Sequence, residues 1–109
     1  LQDARPDRTE TAAPNLLKTD SFKTGSASSS TITVTEESHG RSTSDTVRFY
    51  DVLSFDGITN TNINRSAGYT ITKVDDNSYT FSVATDTATT GNIRGGGFRS
   101  YAGPVTITP

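Results

Sequence analysis

Two runs of alternating β-formers separated by three polar residues narrow the fold more than any other feature of this chain. Gly68-Tyr69-Thr70-Ile71-Thr72-Lys73-Val74 and Ser78-Tyr79-Thr80-Phe81-Ser82-Val83 are joined by Asp75-Asp76-Asn77. Period-two alternation puts successive side chains on opposite faces of a strand. A short polar connection between two such runs predicts a β-hairpin. Tyr79, Phe81 and Val83 share one face, Tyr69 and Ile71 share another, and the two sets can pack across the pair. A lone hairpin is marginal in water, so the rest of the chain must supply more strands.

It does so in short pieces. Thr31–Thr35 alternates with Ile32 and Val34 on one side, and Thr46–Tyr50 alternates with Val47 and Phe49 inward. Glu36-Glu37-Ser38-His39-Gly40 reads as the turn between them. Val52, Leu53, Phe55 and Ile58 surround Asp56-Gly57, a tight-turn dipeptide in a partly buried loop. Residues 60–64 are Asn-rich and read as a surface loop, residues 84–92 as a Thr-rich loop. Short final strands are expected at 97–101 and 105–108, with Pro104 at an edge or strand start. Only 30% of the chain is apolar, and its polar bias lies in Thr, Ser, Asn and Asp, which favour strands and turns over helices. The expectation is an all-β domain over 31–109, a small antiparallel β-barrel of five to seven short strands.

Residues 1–30 differ. They mix charges with Pro6 and Pro14, include the flexible run Gly-Ser-Ala-Ser-Ser-Ser, and offer Leu16, Leu17 and Phe22 as apolar anchors. Such a segment buries too little surface to order itself. It is expected to be an extended, flexible N-terminal arm. Two uses are open: an arm pinned to a neighbouring subunit by Leu16, Leu17 and Phe22, or a linker to an upstream domain. The chain opens on Leu1 without an initiator Met, which suggests processing or excision from something longer.

Charge and composition exclude several function classes. Ten basic residues are scattered among twelve acidic ones, for a net charge of −2, so no basic face is available to neutralise a phosphate backbone, and nucleic acid is not an expected partner. No apolar run approaches the roughly 20 residues needed to cross a bilayer, so no membrane is expected either. With no Cys, disulfides, a thiolate nucleophile and cysteine-ligated zinc are excluded. No catalytic, cofactor-binding or metal-binding residue is expected, and no small-molecule substrate.

The candidate chemistry resolves into turns and core. His39 is the single histidine and sits in a His-Gly turn with no Ser-His-Asp spacing around it, so a hydrogen bond within its turn is the expected role. Gly91-Asn92-Ile93-Arg94-Gly95-Gly96-Gly97 superficially resembles a phosphate-binding loop, but Phe98-Arg99-Ser100-Tyr101 follows where a helix would have to start. A close backbone crossing or bulge explains those glycines. Asp75, Asp76 and Asn77 lack the alternating ligands and distant bidentate carboxylate of a calcium loop. Asn64-Arg65-Ser66 fits the glycosylation pattern. Phe49, Tyr50, Phe55, Tyr69, Tyr79, Phe81, Phe98 and Tyr101 carry most of the bulk, and most of them are expected in the core in preference to a single-strand nucleic-acid platform with Arg48, Arg94 and Arg99.

One block ties these pieces together. His39-Gly40, Asp45-Thr46-Val47-Arg48-Phe49, Gly57-Ile58, Tyr69-Thr70-Ile71, Tyr79-Thr80-Phe81-Ser82-Val83, Asp86-Thr87 and Ile93-Arg94-Gly95-Gly96 resemble the first catalytic-cysteine half-domain of ubiquitin-activating enzymes, a small antiparallel β-barrel. The same module recurs in structural proteins of tailed bacteriophages, often after a Thr/Ser/Val strand like residues 29–35. Ser44-Asp45 stands where the family commonly has Gly-Asp, and Ala67-Gly68 where it often has Asn-Gly. The half-domain is a non-catalytic insert in the enzymes, so the resemblance transfers no catalytic residue. It implies a non-enzymatic structural component of a phage virion (tail, head–tail connection or capsid decoration), whose partners are other virion proteins in many symmetric copies. The alternatives are a non-catalytic accessory domain of a larger protein, or an adhesive module that binds glycans through the 60–66 and 84–92 loops.

Overall fold

The computed structural model describes residues 14–103, which form nine short strands and one helical turn. Strand β3 (Thr31–Thr35) is the organising element. Ile32 and Val34 are fully buried while its threonines face outward, as the alternation requires. Both of its edges are paired: Thr31 to Thr35 run against Ser82 to Ser78 of β7 (Ser78–Ser82), and Ile32 to Val34 run against β2 (Phe22–Thr24). β7 in turn pairs with β6 (Thr72–Asp75), closing the expected hairpin. β2 pairs with β8 (Arg94–Gly95). The second sheet has the order β1 (Asn15–Leu16), β9 (Tyr101–Gly103), β4 (Thr46–Tyr50), β5 (Tyr69–Thr70), and every pairing is antiparallel. The protein is all-β.

The two sheets share one chain at a corner. Only Ile71 separates β5, which belongs to one sheet, from β6, which belongs to the other. Its side chain is buried, and its backbone is held on both sides, donating to Asp45 O at 3.0 Å and accepting from Ser44 N–H at 2.9 Å. Opposite this corner, the chain leaving β4 runs beside β8, where Leu53 N–H donates to Gly96 O at 2.9 Å. Backbone hydrogen bonds therefore connect β4, β5/β6, β7, β3, β2 and β8 and return to the continuation of β4.

Side chains from both sheets fill the space between. Phe49 of β4 stacks on Phe81 of β7 with ring centroids 4.8 Å apart and meets Phe22 of β2 edge-on at 5.2 Å, and Phe81 lies 4.7 Å from Tyr69 of β5. Offset and edge-on pairs of this kind add to the stabilisation from area burial alone. The Asn-rich segment is helical for one turn, α1 (Asn60–Ile63), because Ile63 is fully buried and pulls the chain inward. No helix among the described residues is long and apolar enough to cross a membrane.

The N-terminal segment departs from expectation. Residues 15–24 contribute β1 and β2 to the two sheets, and Phe22 and Leu17 are buried in this chain's own core. Neither is free to anchor an arm on a neighbour. A three-residue strand flanked by polar residues shows no readable period, and β2 is stable because β3 and β8 pair with both of its edges. Residues 1–13 of the expected arm, and the strand expected at 105–108, lie outside the described residues. The strand expected at 97–101 sits later, at Tyr101–Gly103, with a loop before it.

Candidate interaction surface

β1 and the residue that follows it send three consecutive side chains to three environments. Asn15 reaches a buried carboxylate, Leu16 stands 61% exposed, and Leu17 enters the core. Next to Leu16 is Phe98, 79% exposed and the most exposed large apolar residue described. Leu16, Leu17 and Phe98 line one groove together with Lys18, Thr19 and Arg99. Leu53, also exposed, packs on the backbone of Gly97: a Cβ at that glycine would lie 2.7 Å from Leu53 Cδ1. Phe98 and Leu16 thus form an exposed apolar ridge along one groove, and Leu53 stands against the glycine that precedes Phe98. Exposed apolar side chains that gather on one surface, unlike those scattered singly, mark interaction sites.

The glycine run positions the ridge. A Cβ at Gly95 would sit 2.4 Å from the Phe55 ring, and one at Gly96 would sit 2.5 Å from the Phe22 ring at a φ of +104°. The backbone passes between two aromatic rings where no side chain fits, then turns outward to present Phe98. These glycines serve close packing and a left-handed turn, and β8 begins within them, leaving no helix N-terminus for a phosphate.

On the other side of Leu16 is a recess of about 460 Å³ between β1 and the end of β3, lined by residues that include Leu16, Leu17, Glu36 and Glu37. Its floor is a polar knot. Glu36 is 6% exposed and accepts four hydrogen bonds: from Arg41 Nε at 3.0 Å and Nη2 at 3.1 Å, from Tyr79 Oη at 2.6 Å, and from Asn15 Nδ2 at 3.0 Å. These occupy the four lone-pair positions of a carboxylate. Burial alone would raise the Glu36 carboxyl, but the bonds from Arg41, Tyr79 and Asn15 outweigh it and hold the group below the ordinary carboxylate range. Burial and the negative charge of Glu36 push the Tyr79 hydroxyl up, so it remains a donor. The knot ties β1 to β7 and, through Arg41 Nη2 on Ala102 O, to β9. Every acceptor position on the carboxylate is taken, so it holds strands together and has no site left for acid–base work. Glu37 is on the rim with Lys18, 2.9 Å away and exposed.

The remaining sequence candidates resolve into structure. His39 Nε2 is 2.7 Å from Asp75 O and 3.3 Å from Ser78 O, while Nδ1 accepts from Arg41 N–H at 2.8 Å. Two carbonyls at one nitrogen and an amide donor at the other require the neutral Nε2–H tautomer. The ring latches the 36–41 turn onto the β6–β7 hairpin. Asp75 Oδ1 accepts from Asn77 N–H and Ser78 Oγ, and the Asn77 amide leads in drawing its carboxyl down. No cluster of metal-ligating side chains occurs among the described residues. Asn64 exchanges both amide bonds with the Val52 backbone, so the nitrogen a glycan would need is already engaged. Arg48 lies over Tyr50 and Arg65 over Tyr69, while Phe49, Tyr79 and Phe81 are core.

At the far end, loops 60–66 and 84–92 meet. Asn62 Nδ2 donates to Thr85 Oγ1 and Asp86 Oδ2, and Asp86 also accepts from Thr59 N–H, which leads in lowering its carboxyl. Asp56 performs the same service beside them, accepting from Thr90 N–H, Gly91 N–H and Thr24 Oγ1. Burial would raise the Asp56 carboxyl, but these bonds, led by the two amides, bring it below the usual range.

Of the three expected anchors only Leu16 is on the surface. Phe98 is the aromatic residue that the expected core most clearly leaves out. Its one sequence signal is its place after three glycines, where the chain turns out of the sheet. No family model matches this chain, and neither the curated proteins nor the solved structures contain a match to it.

Proposed function

We propose that this chain is a non-enzymatic structural component of a tailed-bacteriophage virion, in the tail, the head–tail connection or the capsid decoration. It works by packing against other virion proteins in many symmetric copies. The observation that carries the assembly half of this reading is the exposed ridge of Phe98 and Leu16 on one groove, with exposed Leu53 beside Gly97. It stands on a molecule whose single histidine, and the most buried carboxylate among the described residues, are consumed in holding strands together. The virion half rests on the resemblance of the block from His39 to Gly96. Repetition in a symmetric particle makes weak contacts sufficient.

Density-gradient fractionation of the native source, with this chain followed by peptide mass spectrometry, tests it. Co-sedimentation with DNA-filled particles at fixed stoichiometry is the expected result. Recovery only among soluble proteins overturns the virion reading. A second reading, a non-catalytic accessory or adhesive domain, is favoured by the meeting of the 60–66 and 84–92 loops at one end. It predicts glycan or protein binding that Asp86→Ala abolishes while F98S leaves it intact.

A further inference from the structure

The groove that carries Phe98 and the recess lie side by side, and Leu16, Leu17 and Lys18 line both. We infer that this face joins two copies of the chain about a two-fold axis near Leu16, each copy's Phe98 entering the other's recess. This goes beyond the virion reading and does not depend on it.

Shape supports the pairing first. An enclosed apolar cavity of about 150 Å³ holds a benzene ring; the recess is an open cleft of about 460 Å³ in which Leu16 and Leu17 supply the apolar wall. It therefore admits the Phe98 ring with room for part of Leu16 from the partner. Charge supports it second. Arg99 follows Phe98 and has no carboxylate partner among the described residues. Glu37 is exposed on the recess rim, its one partner being the equally exposed Lys18. Inserting Phe98 brings Arg99 of one copy to Glu37 of the other, and the two-fold makes that contact twice. An isologous interface requires this self-complementarity: the patch must carry both the projection and the socket that receives it. Edge-to-edge pairing of β1 with a second β1 is the weaker geometry, because a two-residue strand offers too few backbone groups for a stable ladder.

Sedimentation velocity on the full 109-residue chain, from low micromolar to several hundred micromolar, tests the inference. The expected result is a concentration-dependent shift to twice the chain mass. F98S weakens association at least ~10-fold, equivalent to ~1.4 kcal/mol. R99E and E37R each weaken it several-fold, and the double variant R99E/E37R recovers most of the loss, as swapped rim charges do when they face each other. Circular dichroism and thermal melts check that each variant is folded, which the exposure of all three residues leads one to expect.

A chain that stays monomeric throughout the range overturns the inference. So does a dimer indifferent to F98S, or a double variant no better than either single one. A monomer that still enters virions would assign the ridge to a different protein while leaving the proposed function intact.

Discussion

Adjacent residues of β1 belong to two regions that invert the usual division of labour. Asn15 joins a knot of charged and polar groups that is buried and fully paired. Leu16 joins a ridge of apolar groups that is exposed. The knot is inside because a carboxylate with four donors has nothing to gain from water, whereas a buried charge lacking even one partner would be costly. The ridge is outside because the core is already filled by Phe22, Phe49, Tyr69, Tyr79 and Phe81, and because the glycine run leaves Phe98 no route back in. In this protein the polar cluster provides cohesion and the apolar cluster provides availability. Residue type alone would have assigned those roles the other way round.

The sharpest way to break the comparison is to remove the centre of the knot. Glu36→Ala leaves Arg41 and Tyr79 without their acceptor and is expected to cost about 3 kcal/mol, measured by urea unfolding. Glu36→Ala combined with Arg41→Met should recover much of that loss, since the uncompensated guanidinium is then gone. A double variant no more stable than the single would mean that the pair itself, and not the orphaned charge, carries the stability.

Gly96→Ala attacks the support of the ridge. It introduces a Cβ against the Phe22 ring at a positive φ, with an expected cost of about 2 kcal/mol and a shift in the melting temperature. Asn15→Ala removes one of the four donors and is expected to cost about 1 kcal/mol. The test is whether Asn15→Ala loses its effect in the Glu36→Ala background, as members of one network should.

Acid titration probes the knot together with the loop carboxylates. Glu36, Asp56, Asp75 and Asp86 are all held below their ordinary values in the fold. A carboxyl depressed on folding binds its proton less readily than in the unfolded chain. Its contribution is therefore fully present above the unfolded value of about 4 and is lost as the pH falls through the depressed folded value. Stability should hold from neutral pH down to about pH 5 and then decline, and the decline should be shallower in Glu36→Ala. The smallest effect on stability belongs to the ridge: F98S should change it by less than ~0.5 kcal/mol. A large loss there would mean that Phe98 supports the fold and is not a free surface group.

Much of the fold was legible. The strands expected at 31–35 and 46–50 stand where the alternation placed them. The hairpin bends at Asp75-Asp76-Asn77 as read, but only Thr72–Asp75 of its first arm pairs with β7, with an irregularity between Lys73 and Asp75, while Tyr69–Thr70 crosses to β4 of the other sheet. Local period and turn chemistry sufficed because these elements pair with near neighbours or carry long enough patterns. Less of the site was legible. Phe22 reads as a stray anchor in a polar segment until β3 and β8 are placed on either side of it, and Glu36 reads as part of a surface turn until Arg41 and Tyr79 meet it. Both facts are completed by segments far apart in the chain, β8 for Phe22 and Tyr79 for Glu36, which carry no local periodicity.

The amino-acid sequence by itself determined that this protein is β, because alternating Thr, Val, Ile and aromatic residues between Asp, Asn and Gly turns admit little else, and it determined where the hairpin bends. Only the tertiary structure decided which side chains are inside. Burial is settled by which distant strands fill the core first, and that competition put Glu36 in the interior and Phe98 in the solvent.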